Sequence, residues 1–367
     1  MGEPITYVGI DAHKRELQLT MLIGNATDAI NWTAPVDDRM IARLRGKLER
    51  AAPGLIECCY EAGPGGYALQ RRLDGGRVRC RVIAPSLIPR KPGDRVKTNR
   101  RDARQLAQLL RADLLTTVHV PTEAEEAVRD LCRARDDARR DLMRARHRLT
   151  KFLLRRGRIY HANAWTKRHD EWLQQLTWPH AADGHVITDY RCAIEQVETR
   201  LRELDRLLEQ LAGEPPYAAP VAALRCFRGV DTVSAIMLLA ELHNARRFPH
   251  PRALMAFTGL VPSESSTGDT HRRGAITKTG NTQLRRLLIE AAWHYRHEPR
   301  PSARLRHRRR DQPLAVTMIA TRAEQRLCHR YRRLSARLKP KPLVITAVAR
   351  ELVGFIWAVL QLPEVQR

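Results

Sequence analysis

Two apolar runs at the start of the chain, ITYVGID (5 to 11) and ELQLTMLI (16 to 23), are separated only by the four residues AHKR. In the second run Leu17, Leu19 and Met21 alternate with other residues, the two-residue period of a strand with one buried face. A connection this short joins strands only in antiparallel fashion, so the chain is expected to open with a β-hairpin. That hairpin puts Asp11 at the end of a run that reads as buried. A carboxylate there is costly unless an Arg or Lys partner, a metal ion or solvent compensates it.

The alternation continues. AINWTAP suggests a third strand, MIARLRGKLERA a helix, GLIECCYE a short buried strand, YALQRRLDGG a helix closed by glycines, and VRCRVIAP another strand. After SLIPRKPGDR, the segment RDARQLAQLLRADLL reads as a helix with Leu106, Leu109, Leu110 and Leu114 on one face. Strands alternating with helices behind a hairpin predict an α/β domain with a mixed sheet over residues 1–120.

Residues 121–215 read as a helical coiled-coil spacer. Ala124, Val128, Leu131, Ala138, Leu142, Ala145, Leu149 and Phe152 keep three-and-four spacing with one gap at Arg135. Ile194, Val197, Leu201, Leu204, Leu208 and Leu211 keep it without a gap. Such seams pair helices within one chain or between two. EPPYAAP (214 to 220) then suggests a linker to an all-α domain over 216–367. There VAALRCFRGVDTVSAIMLLAELHNARRF resembles a helix-hairpin-helix unit, whose turn amides are placed to approach a phosphate backbone. The polar stretch PSESSTGDTHRRGAITKTGN is expected to be a loop.

Lys and Arg number 65 against 40 acidic residues, a formal charge of +25. Nine are lysines and 56 arginines, whose planar forks pair bidentately with phosphate, so a nucleic acid is the expected partner. The charge runs ARRDLMRARHRLTKFLLRRGR and RPSARLRHRRRD fit nucleic-acid tracking as well as a solvated face, the first lying beside Phe152, Tyr160 and Trp165. The most apolar stretch, 343–360, is interrupted by Arg350 and Glu351, so neither a membrane span nor a signal peptide is expected. The seven cysteines show no CxxC spacing and read as reduced thiols of a cytoplasmic protein, mostly small core residues.

Three acids fall where strands end or a helix begins: Asp11 after YVGI, Glu61 after LIECCY and Asp102 in KTNRRDA. Carboxylates from neighbouring strand ends can converge on divalent ions that stabilise both the attacking and the leaving oxygen of a phosphodiester. Each acid alone is better explained as surface charge or an arginine's partner; the three together, behind the hairpin and amid basic charge, favour the functional reading. His13 reads as a solvated turn residue. For the serines and threonines of the polar loop, the plain alternative is helix capping and turn formation.

The ordered set YVGIDAHK, EAGPGGYAL, VKTNRRDARQLAQLLR, GVDTVSAIMLLAEL, RFPHPRALMAFTGLVPSE and GAITKTGNTQLRRLLIEAAW resembles the DEDD transposases of insertion sequence family 110 and its 1111 branch, from about residue 5 to about 300 or beyond. The resemblance implies a site-specific DNA recombinase with an N-terminal ribonuclease H-like domain, a coiled-coil spacer and a C-terminal domain bearing a nucleophilic serine. It further implies Mg²⁺, double-stranded donor and target DNA, a structured guide RNA, a nucleoid-associated setting, and homo-oligomers, dimers or tetramers, in which domains of different protomers combine.

Carried over by position, Asp11 matches the first acid of the family, Glu61 the second and Asp102 the fourth. The third falls on Asn99, because KTNRRDA stands where the pattern has KTDxxDA; Asn still offers a carbonyl oxygen to a metal. Asp94 is near enough in sequence to be weighed as a substitute. In the polar loop the family's serine ahead of a glycine corresponds to Ser266, with Thr267 second. Lys97, Arg100, Arg101, Arg272, Arg273 and Lys278 are then the phosphate contacts. The rival expectations are a metal-dependent nuclease of Holliday-junction type, which needs only the N-terminal acids, and an inactive nucleic-acid-binding remnant of a transposase.

Overall fold

In the computed structural model, which describes residues 3–89, 98–267 and 270–365, the two opening runs form β1 (Thr6–Ala12) and β2 (Glu16–Ile23), paired antiparallel with Ile10 opposite Leu19. The side chains of Asp38, Met40, Ala42, Ser266, Thr270, His271 and Arg273 lie outside the described residues. The chain divides into two units, residues 1–121 and 122–367.

In the first unit, β3 (Ile30–Pro35), β4 (Ile56–Glu61) and β5 (Val78–Ile83) complete a five-stranded sheet of order β3-β2-β1-β4-β5. The hairpin side is antiparallel, whereas β1–β4 and β4–β5 are parallel. The mixed sheet thus follows from the short hairpin connection and from the crossovers through α1 (Asp38–Ala51) and α2 (Ala68–Leu73). One face, with Val8, Ile10, Leu19, Met21, Ile56 and Val78, buries Leu44 and Leu48 of α1 and Leu73 of α2.

The other face is covered by α3 (Asn99–Arg111), where Cys59, Ile83, Leu106 and Leu110 pack with Tyr7. The expected stripe on this helix is corrected. Leu106 and Leu110 are buried with Ala103 and Ala107, Leu109 is half-buried, and Leu114 lies exposed beyond the helix end. The alanines form the contact because the helix lies directly on the backbone of β1 at Gly9.

In the second unit, a Thr122–Glu125 capping box starts α4 (Glu123–Arg155), which pairs with α6 (Ala181–Ala212); α5 (Lys167–Gln175) lies between them in sequence. Leu142, Ala145, Leu149 and Phe152 meet Ile187 and Ile194 in one cluster. The gap in the first seam is filled by charge: Arg135 Nε donates to Asp205 Oδ1 at 2.7 Å. EPPYAAP connects α6 to α7 (Ala218–Leu224) inside this unit. A large core then gathers α7, α8 (Thr232–Leu242), α9 (Pro251–Phe257), α10 (Thr282–Ala292), α12 (Leu314–Ser335) and α13 (Lys341–Leu360), with α11 (Ala303–Arg309) beside it.

Among the described residues one helix, α13, is long and apolar enough to cross a membrane by length and composition. Its Val348, Leu352, Ile356 and Val359 are buried in the core, and its Glu351 takes ion pairs from Arg326 and Arg330, each at 3.2 Å. It is the central helix of the unit. Six of the seven cysteines are buried and all are free; burial pushes the Cys132 thiol up to about 12.

The expectation of an all-α second half with a polar loop is also corrected. Residues Pro262–Thr267 (β6) and Thr270–Ile276 (β7) form a two-stranded antiparallel sheet. A segment rich in Ser and Thr has no apolar stripe with which to bury a helix, and its Thr residues favour extended backbone.

Candidate active site

The first unit brings its acids to one edge of the sheet. The parallel register sets Ile10 opposite Tyr60, so Asp11 and Glu61 are the next positions at the carboxyl ends of adjacent strands. Strand alternation puts Tyr7, Gly9 and Asp11 on one face of β1, and Glu57, Cys59 and Glu61 on the same face of β4, the face that α3 covers.

The direction of α3 completes the arrangement. Ala103 and Ala107 lie over Gly9, whereas Arg111 at the other end of the helix donates to the Gly24 and Ala26 carbonyls, beyond the strand end paired with the start of β1. The helix therefore runs antiparallel to β1, and its amino end lies toward the end carrying Asp11 and Glu61. Thr98 caps that end through Arg101 N–H at 3.3 Å, and the half-buried Asp102 sits in the first turn, where a carboxylate suits the helix dipole. Asn99 is the exposed first residue of α3, and Arg100 and Arg101 are exposed beside it. Lys97 and Asp94 lie outside the described residues.

His13 is not merely solvated. Its Nε2 lies 2.9 Å from Asp11 Oδ2, and its backbone N–H closes the hairpin turn on the Glu16 carbonyl at 3.0 Å. Among the described residues no group of three or more His, Cys, Asp or Glu side chains is gathered closely enough to hold a metal ion. The donors fit a hard divalent cation by type, since carboxylate and amide oxygens are what Mg²⁺ prefers.

In the second unit, the β6–β7 hairpin pairs Ser265 with Arg272, Ser266 with His271 and Thr267 with Thr270, and is joined through Gly268 and Asp269, which lie outside the described residues. Ser265, Thr267 and Arg272 are exposed. By the strand period, positions 265 and 267 share one face of the ribbon and position 266 belongs to the other. The side chains of Ser266 and Arg273 lie outside the described residues. Position 271, the register partner of Ser266, carries a histidine that sequence reading did not single out; its signal was only the cross-strand register.

The base of this hairpin is held firmly. Lys278, exposed and with φ 56°, donates its N–H to the Gly259 carbonyl at 3.2 Å, and Thr277 N–H donates to Val261 at 2.9 Å. Gly259 and Gly280 have φ of 65° and 82°, and a Cβ on either would lie 2.1 Å from a backbone oxygen, of Thr279 and Phe257 respectively. Asn281 caps α10 by accepting from Leu284 N–H at 3.0 Å and donates to buried Glu241 at 2.6 Å, which Arg133 holds from α4 at 3.0 Å.

Two further charge sites lie deeper in this unit. Buried Asp136 accepts from Arg139, Arg140, Arg286 and Gln283 at 2.8–2.9 Å. Burial pushes its carboxyl up, but Gln283, Arg139 and Arg286 outweigh this and hold it below the usual carboxylate range. Buried Glu324 is likewise paired with Arg228 at 2.6 Å and Arg309 at 3.0 Å. These arginines are structural counter-ions, which shows that not every arginine of this chain is available to a polyanion.

Comparison with known proteins matches both units. Residues 8–156 match a transposase family of the DEDD type found in the IS110 group, and residues 221–308 match the family described as "Transposase IS116/IS110/IS902 family". The putative transposase y4qE of Sinorhizobium fredii (strain NBRC 101917 / NGR234) is 42% identical over 360 residues, covering 96% of this chain and 88% of that protein. The transposase for insertion sequence element IS1533 of Leptospira borgpetersenii is 34% identical over 339 residues, covering 91% of this chain and 97% of that protein.

Proposed function

The chain belongs to the IS116/IS110/IS902 family of transposases, and we propose that it moves DNA by transesterification, using the acids of a ribonuclease H-like first unit together with a hydroxyl of the β6–β7 hairpin. The observation that carries this reading is the common edge and common face of Asp11 and Glu61, with the amino end of α3, and so Asp102, directed toward them.

Asp11, Glu61 and Asp102, with the Asn99 carbonyl oxygen, are the residues that would hold Mg²⁺. Bound there, the ion supplies neutralisation of the phosphodiester and of the charge developing on the attacking and leaving oxygens. Ser266 is the nucleophile in this reading, and Thr267 the alternative. Its hydroxyl gives up a proton, its Oγ forms a bond to phosphorus, and the bond from phosphorus to the departing deoxyribose oxygen breaks, leaving a protein–DNA phosphodiester. Attack by the deoxyribose hydroxyl of another strand then reverses the chemistry and frees the serine. This reading assigns the first proton to His271, the register partner of Ser266.

Lys97, Arg100, Arg101, Arg272, Arg273 and Lys278 hold backbone phosphates. The resemblance and the arginine-dominated charge of +25 support DNA and a structured guide RNA as partners, with the protein acting as a homo-oligomer. The test is strand exchange between paired DNA ends. Asp11→Ala and Ser266→Ala should each abolish exchange while leaving DNA binding intact; normal exchange by the Asp11→Ala protein would refute the role of the acids.

A further inference from the structure

A cavity of about 590 Å³ opens between the Gly229 turn, which links α7 to α8, and the segment leading into α11. Its walls carry Arg300, Arg304 and Arg308, with His294 and His297 beside them. None of its lining residues belongs to the β6–β7 hairpin.

The turn itself does not supply the attraction for an anion. Asp231 N–H donates to Ser234 Oγ and Ser234 N–H donates to Asp231 Oδ1, each at 2.8 Å, so the amino end of α8 is closed by its own carboxylate. Burial pushes the Asp231 carboxyl up, but its bonds from Ser234 outweigh this and hold it below the usual range, so it stays charged. The arginines that line the cavity come from α11 and the segment before it.

Arginines outnumber the two acids of the lining, Asp231 and Glu298. Arg304 and Arg308 are one helical turn apart on α11, and Arg300 precedes the helix. Among the described residues, the guanidiniums of Arg300 and Arg304 have no hydrogen-bond or ion-pair partner. Arg308 donates to the Val230 carbonyl at 2.9 Å, while its Nε is buried without a partner. Burial, and the repulsion of Arg304 and Arg225, hold Arg308 below the ordinary arginine range. The neighbouring Arg228 differs: it is fully engaged by Glu324 and by the Glu298 and Arg300 carbonyls. Three arginines lining one hollow, two of them with unpaired guanidiniums, fit a tetrahedral anionic oxygen cluster such as a phosphate.

We propose that this cavity seats a backbone phosphodiester of a nucleic-acid strand, gripped by Arg300, Arg304 and Arg308. The volume is in the range of nucleotide-sized sites and leaves room for the adjoining sugar. The inference rests on the proposed function only in taking nucleic acid as the partner. It requires neither the acids nor the hairpin, so equilibrium binding separates its failure from theirs.

The experiment compares the full-length protein with Arg300→Ala/Arg304→Ala and with Arg337→Ala/Lys339→Ala, an equal charge loss at exposed positions outside the cavity. Binding to a labelled DNA duplex and a labelled RNA hairpin is measured across salt concentrations. The cavity variant should bind at least one of them roughly tenfold more weakly, and the slope of log affinity against log salt should shrink by about 0.9 for the duplex or about 0.7 if the bound strand is single. The affected probe identifies the strand. Unchanged binding to both, or an equal loss in the control variant, would overturn the proposal. If the alanine variant is thermally destabilised, Arg300→Gln/Arg304→Gln is read by the same two measurements.

Discussion

Gly9 on β1 lies against α3 so closely that a Cβ on it would fall 2.0 Å from the Ala103 carbonyl oxygen and 2.5 Å from the Ala107 nitrogen. The obstacle is helix backbone, which cannot swing aside as a side chain can. Gly9→Ala should therefore lift the helix that carries Asp102, at a cost of about 3 kcal/mol, the upper end for overpacking. The expected signature is a lower denaturant midpoint, together with lost strand exchange. An alanine variant of unchanged stability would show that the helix is not seated on that residue.

Asp136 should make the second unit acid-sensitive. Its carboxyl is held below its ordinary value, so its stabilising contribution is complete above the unfolded pKa of about 3.9 and is lost as pH falls through the lower folded value. Asp136→Asn should cost about 3 kcal/mol at neutral pH by leaving clustered arginines without their anion. It should also flatten the decline in stability below pH ~4. Equal acid sensitivity in both proteins would assign that decline to other carboxylates.

Arg135 and Asp205 fill the one break in the α4 seam with an ion pair. Arg135→Ala should cost about 1 kcal/mol by stranding Asp205, which is partly exposed. Replacing both with leucine restores an apolar seam, and the double variant should melt at the same temperature as the parent or higher. A double variant less stable than Arg135→Ala would mean that the pair aligns the helices as well as filling the gap.

Asn99 occupies the first position of α3, where a negative charge favours both the helix dipole and a nearby cation. Asn99→Asp should raise stability by about 0.3–1 kcal/mol and lower the Mg²⁺ concentration needed for half-maximal strand exchange. If the substitution instead converts a nearly inert protein into an active one, the natural chain is a decayed transposase.

How far the sequence foretold these features depended on the range of the forces involved. The β1–β2 hairpin was legible because Leu17, Leu19 and Met21 alternate and the connection is too short for any other pairing. Asp11 and Glu61 were recognisable as strand-end acids, but their shared face follows from the parallel β1–β4 register, which no local pattern encodes. The face of α3 was misjudged at Leu109 and Leu114 because contact with a strand backbone selects small residues, and Ala103 and Ala107 carry little apolar signal. The β6–β7 ribbon was missed because its positions are polar, leaving no alternation to detect. His13 and Arg135 were each read without their partners, one of which lies 70 residues away in the chain.

The most direct test of the proposed chemistry is to trap the reaction on a DNA substrate in Mg²⁺ and map any protein–DNA linkage by peptide mass spectrometry. A covalent adduct is expected on Ser266, present in the parent protein and absent from Ser266→Ala and from Asp11→Ala. An adduct on Thr267 would move the nucleophile by one position. Metal-dependent cleavage with no adduct, unchanged by substitution of both Ser266 and Thr267, would contradict the account and identify a hydrolytic nuclease.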